Sequence, residues 1–203
     1  MKSIWSSWLL AVVLVFGFSV AWGNNLTHPA QIQMQKNAQD IMSVINNTAL
    51  NNPQKVQRLN QYADRYLDYQ RIAALSVGAP WRQFSAQQKQ DFIAAFKQMI
   101  IHMYSNTALL AAKDAQIAIL PRVSSDNTNT QARVYTQIVN NKNKSYLIDY
   151  QLYKADGVWK IYNINVEGTS LVTVYRSQFN EIINKQGIDG LIQTLKNKGI
   201  KVR

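Results

Sequence analysis

The sequence contains no cysteine among its 203 residues, which removes disulfide staples, thiolate metal sites, thiol nucleophiles and lipid-modified cysteines from consideration together. Histidine is nearly absent as well. His28 and His102 are the only two, and neither has a second His or a carboxylate at ligand spacing, so a zinc site lacks donors. The eight glycines are dispersed and never form a Gly-x-Gly-x-x-Gly array ahead of a helix, so nucleotide phosphates have no cradle. No serine lies in a Gly-x-Ser-x-Gly elbow, and without a credible histidine partner acyl transfer has no machinery. Acidic residues number 11 against 22 Lys and Arg. Asp149, Asp156, Glu167 and Asp189 fall in the second half without a close sequence pair of the kind glycosidases use. Together these absences argue against an enzyme, and no catalytic or metal-binding residue is nominated.

What is there instead is amide. Charged residues make up 16% of the chain, well below the usual quarter, while 19 Asn and 20 Gln are scattered among apolar residues rather than gathered in an aggregation-prone tract. The net charge of +11 directs attention to acidic partners, with an anionic membrane face or nucleic acid as the first candidates. Lys142, Lys144, Lys154 and Lys160 read as a cluster near one end of a sheet, and Lys185, Lys196, Lys198, Lys201 and Arg203 as a basic C-terminus. Lys2 followed by the apolar run Ile4 to Val20, then the small residues Ser19 and Ala21, has the layout of a secretory signal peptide (residues 1–23) cleaved after Ala21 or Gly23. Export makes genomic DNA an implausible partner. It places the mature chain outside the cytoplasm.

From Pro29 to Ala112 the apolar residues recur at three and four, the helical period. Ile32, Met34, Ala38, Ile41, Val44 and Ile45 form one stripe. Pro53 restarts a helix through Val56, Leu59, Tyr62, Ala63, Tyr66 and Leu67, and Asp68 to Val77 makes a shorter one. Gly78, Pro80 and Trp81 break the pattern. Ser85 with Gln88 forms a capping box, followed by Phe92, Phe96, Met99, Met103, Thr107 and Leu110, a stripe widened by Ile93, Ile100 and Tyr104 to the point of touching apolar material on more than one side.

After Pro121 the period becomes two. Gln131–Asn140, Lys144–Tyr153 and Gly157–Val166 read as long strands joined by tight turns, with Ala115–Leu120 as a short edge strand. Tyr146, Ile148, Tyr150 and Leu152 share the face that a covering layer must bury. Helical periodicity returns from Ser170, and Gly187 separates the last helix from the one before it. The pattern predicts an α+β fold. A curved antiparallel meander of about four strands (115–167) is covered by helices from the N-terminal half (29–112) and the C-terminus (168–200), all in one domain over 24–203.

Three blocks resemble one family. Gly78, Trp81, Arg82, Ser85, Gln88, Phe92, Phe96 and Tyr104 form the first. Val166, Glu167, Gly168, Ser170, Leu171, Tyr175, Arg176, Gln178 and Phe179 form the second, and Gly187, Ile188, Asp189, Gly190 and Leu191 the third. In this order, behind a signal peptide and around a meander, they are similar to the MlaC family, also called the toluene-tolerance auxiliary family. Asn163 stands where that family commonly has Asp, and Thr169 where it commonly has Val. The resemblance implies a phospholipid carrier that shuttles between an outer-membrane lipoprotein complex and an inner-membrane ABC transporter with its substrate-binding ring, maintaining outer-membrane lipid asymmetry. It implies no catalysis and no cofactor beyond the lipid itself. One branch of the family is associated with hopanoids, so a hopanoid-related lipid is the alternative ligand and a non-lipid periplasmic interaction module the alternative role.

An apolar pocket between sheet and helices is the expected site. Ile100, Met103 and Tyr104 are assigned to one wall, Ile148, Tyr150 and Leu152 to another, and Ile164, Val166, Thr169, Leu171 and Tyr175 complete it. The leader makes the first testable prediction: intact-mass analysis of exported protein should give a chain starting at Trp22 or Asn24, and retention of residues 1–21 would identify a membrane anchor instead.

Overall fold

The structure is a computed structural model that describes residues 26–112, 116–139 and 144–198, with side chains through residue 101 in the first segment and residue 197 in the last. The expected signal segment, 1–23, lies outside the described residues.

Four helices come first: α1 (Pro29–Asn46), α2 (Asn52–Tyr66), α3 (Tyr69–Val77) and α4 (Ala86–Ala112), with a 3-10 turn at Ala79–Gln83 between the last two. Local chemistry sets their starts. Pro29 and Pro53 occupy first-turn positions, where a missing N–H costs nothing. Asn51 and Gln54 exchange side-chain-to-backbone hydrogen bonds of 3.0 Å each, and Ser85 and Gln88 do the same at 3.1 and 3.0 Å. Asp68 begins α3 directly after α2, its carboxylate accepting from the Arg71 N–H at 2.9 Å. One member of the expected α1 stripe is misplaced. Met34, Ala38, Val44 and Ile45 are buried, but Ile32 is 51% exposed, because at 100° per residue it falls on the opposite side of the helix from the other four.

The sheet has five strands in sequential order, all antiparallel: β1 (Gln116–Ser125), β2 (Gln131–Val139), β3 (Ser145–Ala155), β4 (Val158–Val166) and the two-residue β5 (Thr169–Ser170). β1 runs well beyond the short edge strand that Pro121 was expected to end. Its register shifts between Ile119 and Val123, where four steps on β1 face two on β2, so Pro121 sits in an irregular stretch that asks nothing of its missing N–H. A second irregularity, in β4, decides which residues face inward. Gln151 pairs with Asn163 but Leu152 with Ile161, leaving Tyr162 as an extra residue. Trp159 and Ile161 before it and Ile164 and Val166 after it therefore all reach the same core, which strict alternation would have forbidden. Of the four lysines expected near one end of the meander, Lys142 lies outside the described residues and the other three do not share an end: Lys144 precedes β3 whereas Lys154 and Lys160 lie at its far end, a full strand length away.

α5 (Leu171–Lys198) is the last described element, bent at Gly187, whose φ of 73° and extended ψ break the helical path. Among the described residues the apolar interior forms two cores. The first core joins α1 and α2 to the inner face of the sheet through Met34, Val44, Leu59, Val134, Ile148, Leu152 and Trp159. The second is built from α3, α4 and α5 around Phe92, Phe96, Phe179 and Leu191, without a strand residue.

Two glutamines on α1 tie the helical layer to the irregular parts of the sheet. Gln31 is fully buried, and its Nε2 donates to the carbonyls of Leu120, Pro121 and Arg122 at 2.9, 3.1 and 3.4 Å, acceptors that the β1 irregularity frees from the ladder. Gln33 mimics a neighbouring strand for β4: its Nε2 donates to the Trp159 carbonyl at 2.7 Å and its Oε1 accepts the Trp159 N–H at 2.8 Å. Asp68 N–H bonds to the Ile161 carbonyl at 2.9 Å, and β5 covers the rest of that edge. Replacing Gln31 by Ala should therefore cost about 2–4 kcal/mol, as a cavity and stranded carbonyls add together. Urea denaturation would measure it, and a loss below about 0.5 kcal/mol would refute the clamp.

Candidate functional site

The residues nominated from sequence fall on both sides of the divide between the two cores. Ile148, Tyr150, Leu152, Ile164 and Val166 are buried in the first, on the inner sheet face. Tyr175 is buried in the second, with Ile100 half-buried against it. Leu171 is half-buried and packs against the first core. Thr169 is exposed on the edge strand. The side chains of Met103 and Tyr104, like that of His102, lie outside the described residues. The nominated residues with described, buried side chains thus fall into the two cores, and the first turn of α5 is the segment that runs from one core to the other.

That turn is anchored at both ends. Ser170 caps α5, its Oγ accepting the Thr173 N–H at 3.2 Å while donating to Asn163 Oδ1 at 3.0 Å. Asn163 also accepts the Ile164 N–H at 2.9 Å and donates from Nδ2 to Asn165 Oδ1 at 3.3 Å. That last bond needs an amide donor, which an aspartate at this position lacks. One turn on, Arg176 Nε donates to the Leu75 carbonyl at 2.8 Å, satisfying the C-terminal end of α3. Its side chain lies against Gly78, where a Cβ would come within 3.1 Å of Arg176 Cδ and φ is +75°, so glycine is required there twice over.

The three sequence blocks meet here. Phe92 and Phe96 of the first meet Tyr175 and Phe179 of the second edge to face with centroids 5.2–5.4 Å apart, while Phe92 stacks on Phe96 at 5.7 Å and Tyr175 on Phe179 at 5.5 Å. Gln88 Nε2 donates to Asp189 Oδ1 of the third at 2.8 Å. Their spacing in sequence hides a single assembly.

The inner face is dry at Tyr150. Burial pushes the Tyr150 phenol up to about 12, its hydrogen bond with Thr136 offsetting part of the effect. The outer face is different in kind. Arg122 lies over the Tyr135 ring with Cζ 4.2 Å from its centroid, and Arg71 lies over both Tyr162 and Tyr153 at 4.2 and 4.4 Å. Arg133 pairs with Asp149 at 3.4 Å, and Asn165 Nδ2 donates to the same carboxylate oxygen at 2.6 Å. The hydrogen bond from Ser124, then the nearby Arg122 and Arg133, lowers the Tyr135 phenol against the opposing effect of burial. Sequence reading missed this arginine–tyrosine face. Its members are scattered over β1, β2, β3, β4 and α3, and only the register brings them together. Among the described residues no three His, Asp or Glu side chains converge where they could hold a metal ion, and no helix is long and apolar enough to cross a membrane.

This architecture has relatives. The profile of the MlaC protein family matches residues 35–197. The chain belongs to the MlaC family. It is 29% identical to toluene tolerance protein ttg2D of Pseudomonas putida over 108 residues, 53% of this chain and 49% of that protein. The matched stretch thus spans about half the length of that relative. A phospholipid-binding protein from Ralstonia solanacearum, solved in complex with a phospholipid, superposes with a TM-score of 0.72 at 26% identity, covering 84% of this chain and 96% of that one. The family blocks are thus also the residues that fix α5 against α3, α4 and the edge of the sheet.

The buried phenol gives a pH prediction with a definite sign. Unfolded, Tyr150 ionises near its ordinary value of 10.0, and folded near 12, so its contribution is intact below pH 10 and is lost as pH rises toward 12. The full loss is about 3 kcal/mol for two pKa units. Denaturation midpoints measured between about pH 9 and about pH 12 should fall, and the fall should be shallower in Tyr150→Phe; equal slopes would place that phenol in water.

Proposed function

We propose that this protein is a periplasmic carrier of glycerophospholipid, binding the acyl tails between its two cores and passing the lipid between outer-membrane and inner-membrane complexes without chemical change. The observation that carries the reading is the divided apolar interior, with the nominated walls on either side of the first turn of α5. Membership of the family and the phospholipid-bound relative support it. The ligand takes the place of a cofactor. The partners under this reading are the inner-membrane ABC transporter complex with its substrate-binding ring and the outer-membrane lipoprotein complex, with transient contact to anionic lipid favoured by the net charge of +11.

The physical need for a carrier follows from the tails. Each methylene removed from water contributes about 0.8 kcal/mol, so two tails of about 15 carbons place a free lipid roughly 24 kcal/mol above its buried state. Bilayer and protein interior are both dry, so exchange between them is near balance and reversible. Direction is then supplied by the partners. In this reading Ile148, Tyr150, Leu152, Ile164 and Val166 form the sheet wall, and Ile100, Met103, Tyr104 and Tyr175 the helical wall. Leu171 spans the two, and Thr169 lies at the rim.

Mature protein extracted with organic solvent should yield near-stoichiometric phospholipid by mass spectrometry, measured against a same-compartment protein as blank. No lipid above that blank would sink the carrier reading. The two walls also respond differently to a buried charge. Ile148 is fully buried, so Ile148→Asp should unfold the protein, whereas half-buried Leu171→Asp should stay folded and lose lipid. Unfolding of both would place Leu171 in the core.

A further inference from the structure

The inner face of the sheet carries hydroxyl groups on Thr136, Tyr146 and Tyr150. Two of them are accounted for: Thr136 Oγ1 donates to the Ile148 carbonyl at 3.2 Å and is hydrogen-bonded to Tyr150. Tyr146 is not. Its hydroxyl is buried with no hydrogen-bond partner, and among the described residues it is the only such side chain on the sheet. Buried donors in folded proteins are almost always paired, because leaving one unpaired forfeits its hydration.

The position of this orphan is informative. Tyr146 faces Ile138 across β2, and it lies one inward step beyond Ile148, whose partner is Val166. It therefore sits at the end of the sheet where β4 turns through β5 into Leu171, beside the divide between the cores. The Lys144 ammonium lies 5.1 Å from the centroid of the same ring. A buried phenol and a cation thus share one spot at the margin of an apolar interior. Acyl tails offer no acceptor, and the phosphate of a lipid is charged and strongly hydrated. At the boundary between them, the neutral acceptors of a glycerophospholipid are its ester carbonyls.

We propose that the Tyr146 hydroxyl donates a hydrogen bond to an acyl ester carbonyl of the bound glycerophospholipid, with Lys144 beside the phosphate. This bond sets how deeply the tails enter and favours ester-linked over ether-linked lipid. The inference rests on the carrier reading above and adds a chemical class to it. An ether oxygen is a weaker and differently placed acceptor, so a pocket that hydrogen-bonds the carbonyl discriminates against an analogue lacking it.

The test is competition. Delipidated mature protein is offered an equimolar mixture of diacyl phosphatidylglycerol and its dialkyl-ether analogue of equal chain length, and the bound lipids are quantified by mass spectrometry. Wild type should favour the ester by about 5- to 10-fold, and Tyr146→Phe should bring the ratio close to one with total uptake unchanged. Equal uptake of both lipids by wild type would overturn the inference, since a buried water would then account for the hydroxyl. An ester preference surviving in Tyr146→Phe would overturn it as well. If wild type takes up neither lipid, the carrier reading itself falls and this inference with it. The wild-type ratio is read without any variant, so a poorly folded mutant does not shield the idea.

Discussion

Leu171 and Tyr175 are one helical turn apart, yet they pack into different cores. A helix that begins in one apolar cluster and continues in another must hold the two at a fixed offset, and α5 is pinned for that purpose. Asn163 and Ser170 fix its start to β4, and Arg176 fixes its second turn to the end of α3. Neither bond is interchangeable with simple packing. The first sets the rotation of the helix about its axis, since Ser170 must point back to the strand. The second sets its height, since the guanidinium must reach one particular carbonyl. With rotation and height both fixed, Leu171 cannot turn away from the sheet without breaking a hydrogen bond elsewhere.

The amide-rich composition has a structural reason visible in α1. Gln31 and Gln33 enter positions where backbone groups of β1 and β4 lose their ladder partners, and each offers a neutral side chain to replace them. An amide carries donor and acceptor together, so Gln33 can satisfy both groups of Trp159 at once. A lysine or glutamate there would bring only half of that function and a buried charge besides. The low charge content is therefore what lets a helical layer be hydrogen-bonded to irregular strand segments in a dry interior.

Much of this was legible in the sequence where the signal was local. Periodicity of three and four against two separated the helices from the meander, and Ser85 with Gln88 marked the start of α4 because capping is settled within four residues. Irregular strands were not legible. β1 passes Pro121 only because α1, whose Gln31 lies 89 residues before Leu120, supplies that side chain, and the extra residue at Tyr162 keeps Ile161 and Ile164 on one face although their spacing is odd for a strand. The lysine grouping failed for a related reason: proximity in sequence across a hairpin end says nothing when a full strand intervenes. As for the candidate site, sequence named residues that fall in both cores. The division into two cores is a property of packing, and the arginine–tyrosine outer face a property of register, and neither leaves a linear trace.

The two cores differ in a way that bears on how a lipid could enter. The helical core is held by Phe92, Phe96, Tyr175 and Phe179, whose rings meet edge to face and stacked at 5.2–5.7 Å, contacts with narrow geometric optima that resist sliding. The sheet core is mostly aliphatic, with Ile, Leu and Val side chains at Ile148, Leu152, Ile164 and Val166, and dispersion between such groups depends little on orientation. Under the proposed reading, in which tails lie between the two cores, the aromatic side has discrete arrangements to choose from and the aliphatic side a continuum. Under the proposed carrier reading, adjustment to tails of different length and unsaturation falls on the aliphatic side, while the aromatic side, held by the Arg176 bond to the end of α3, keeps its geometry.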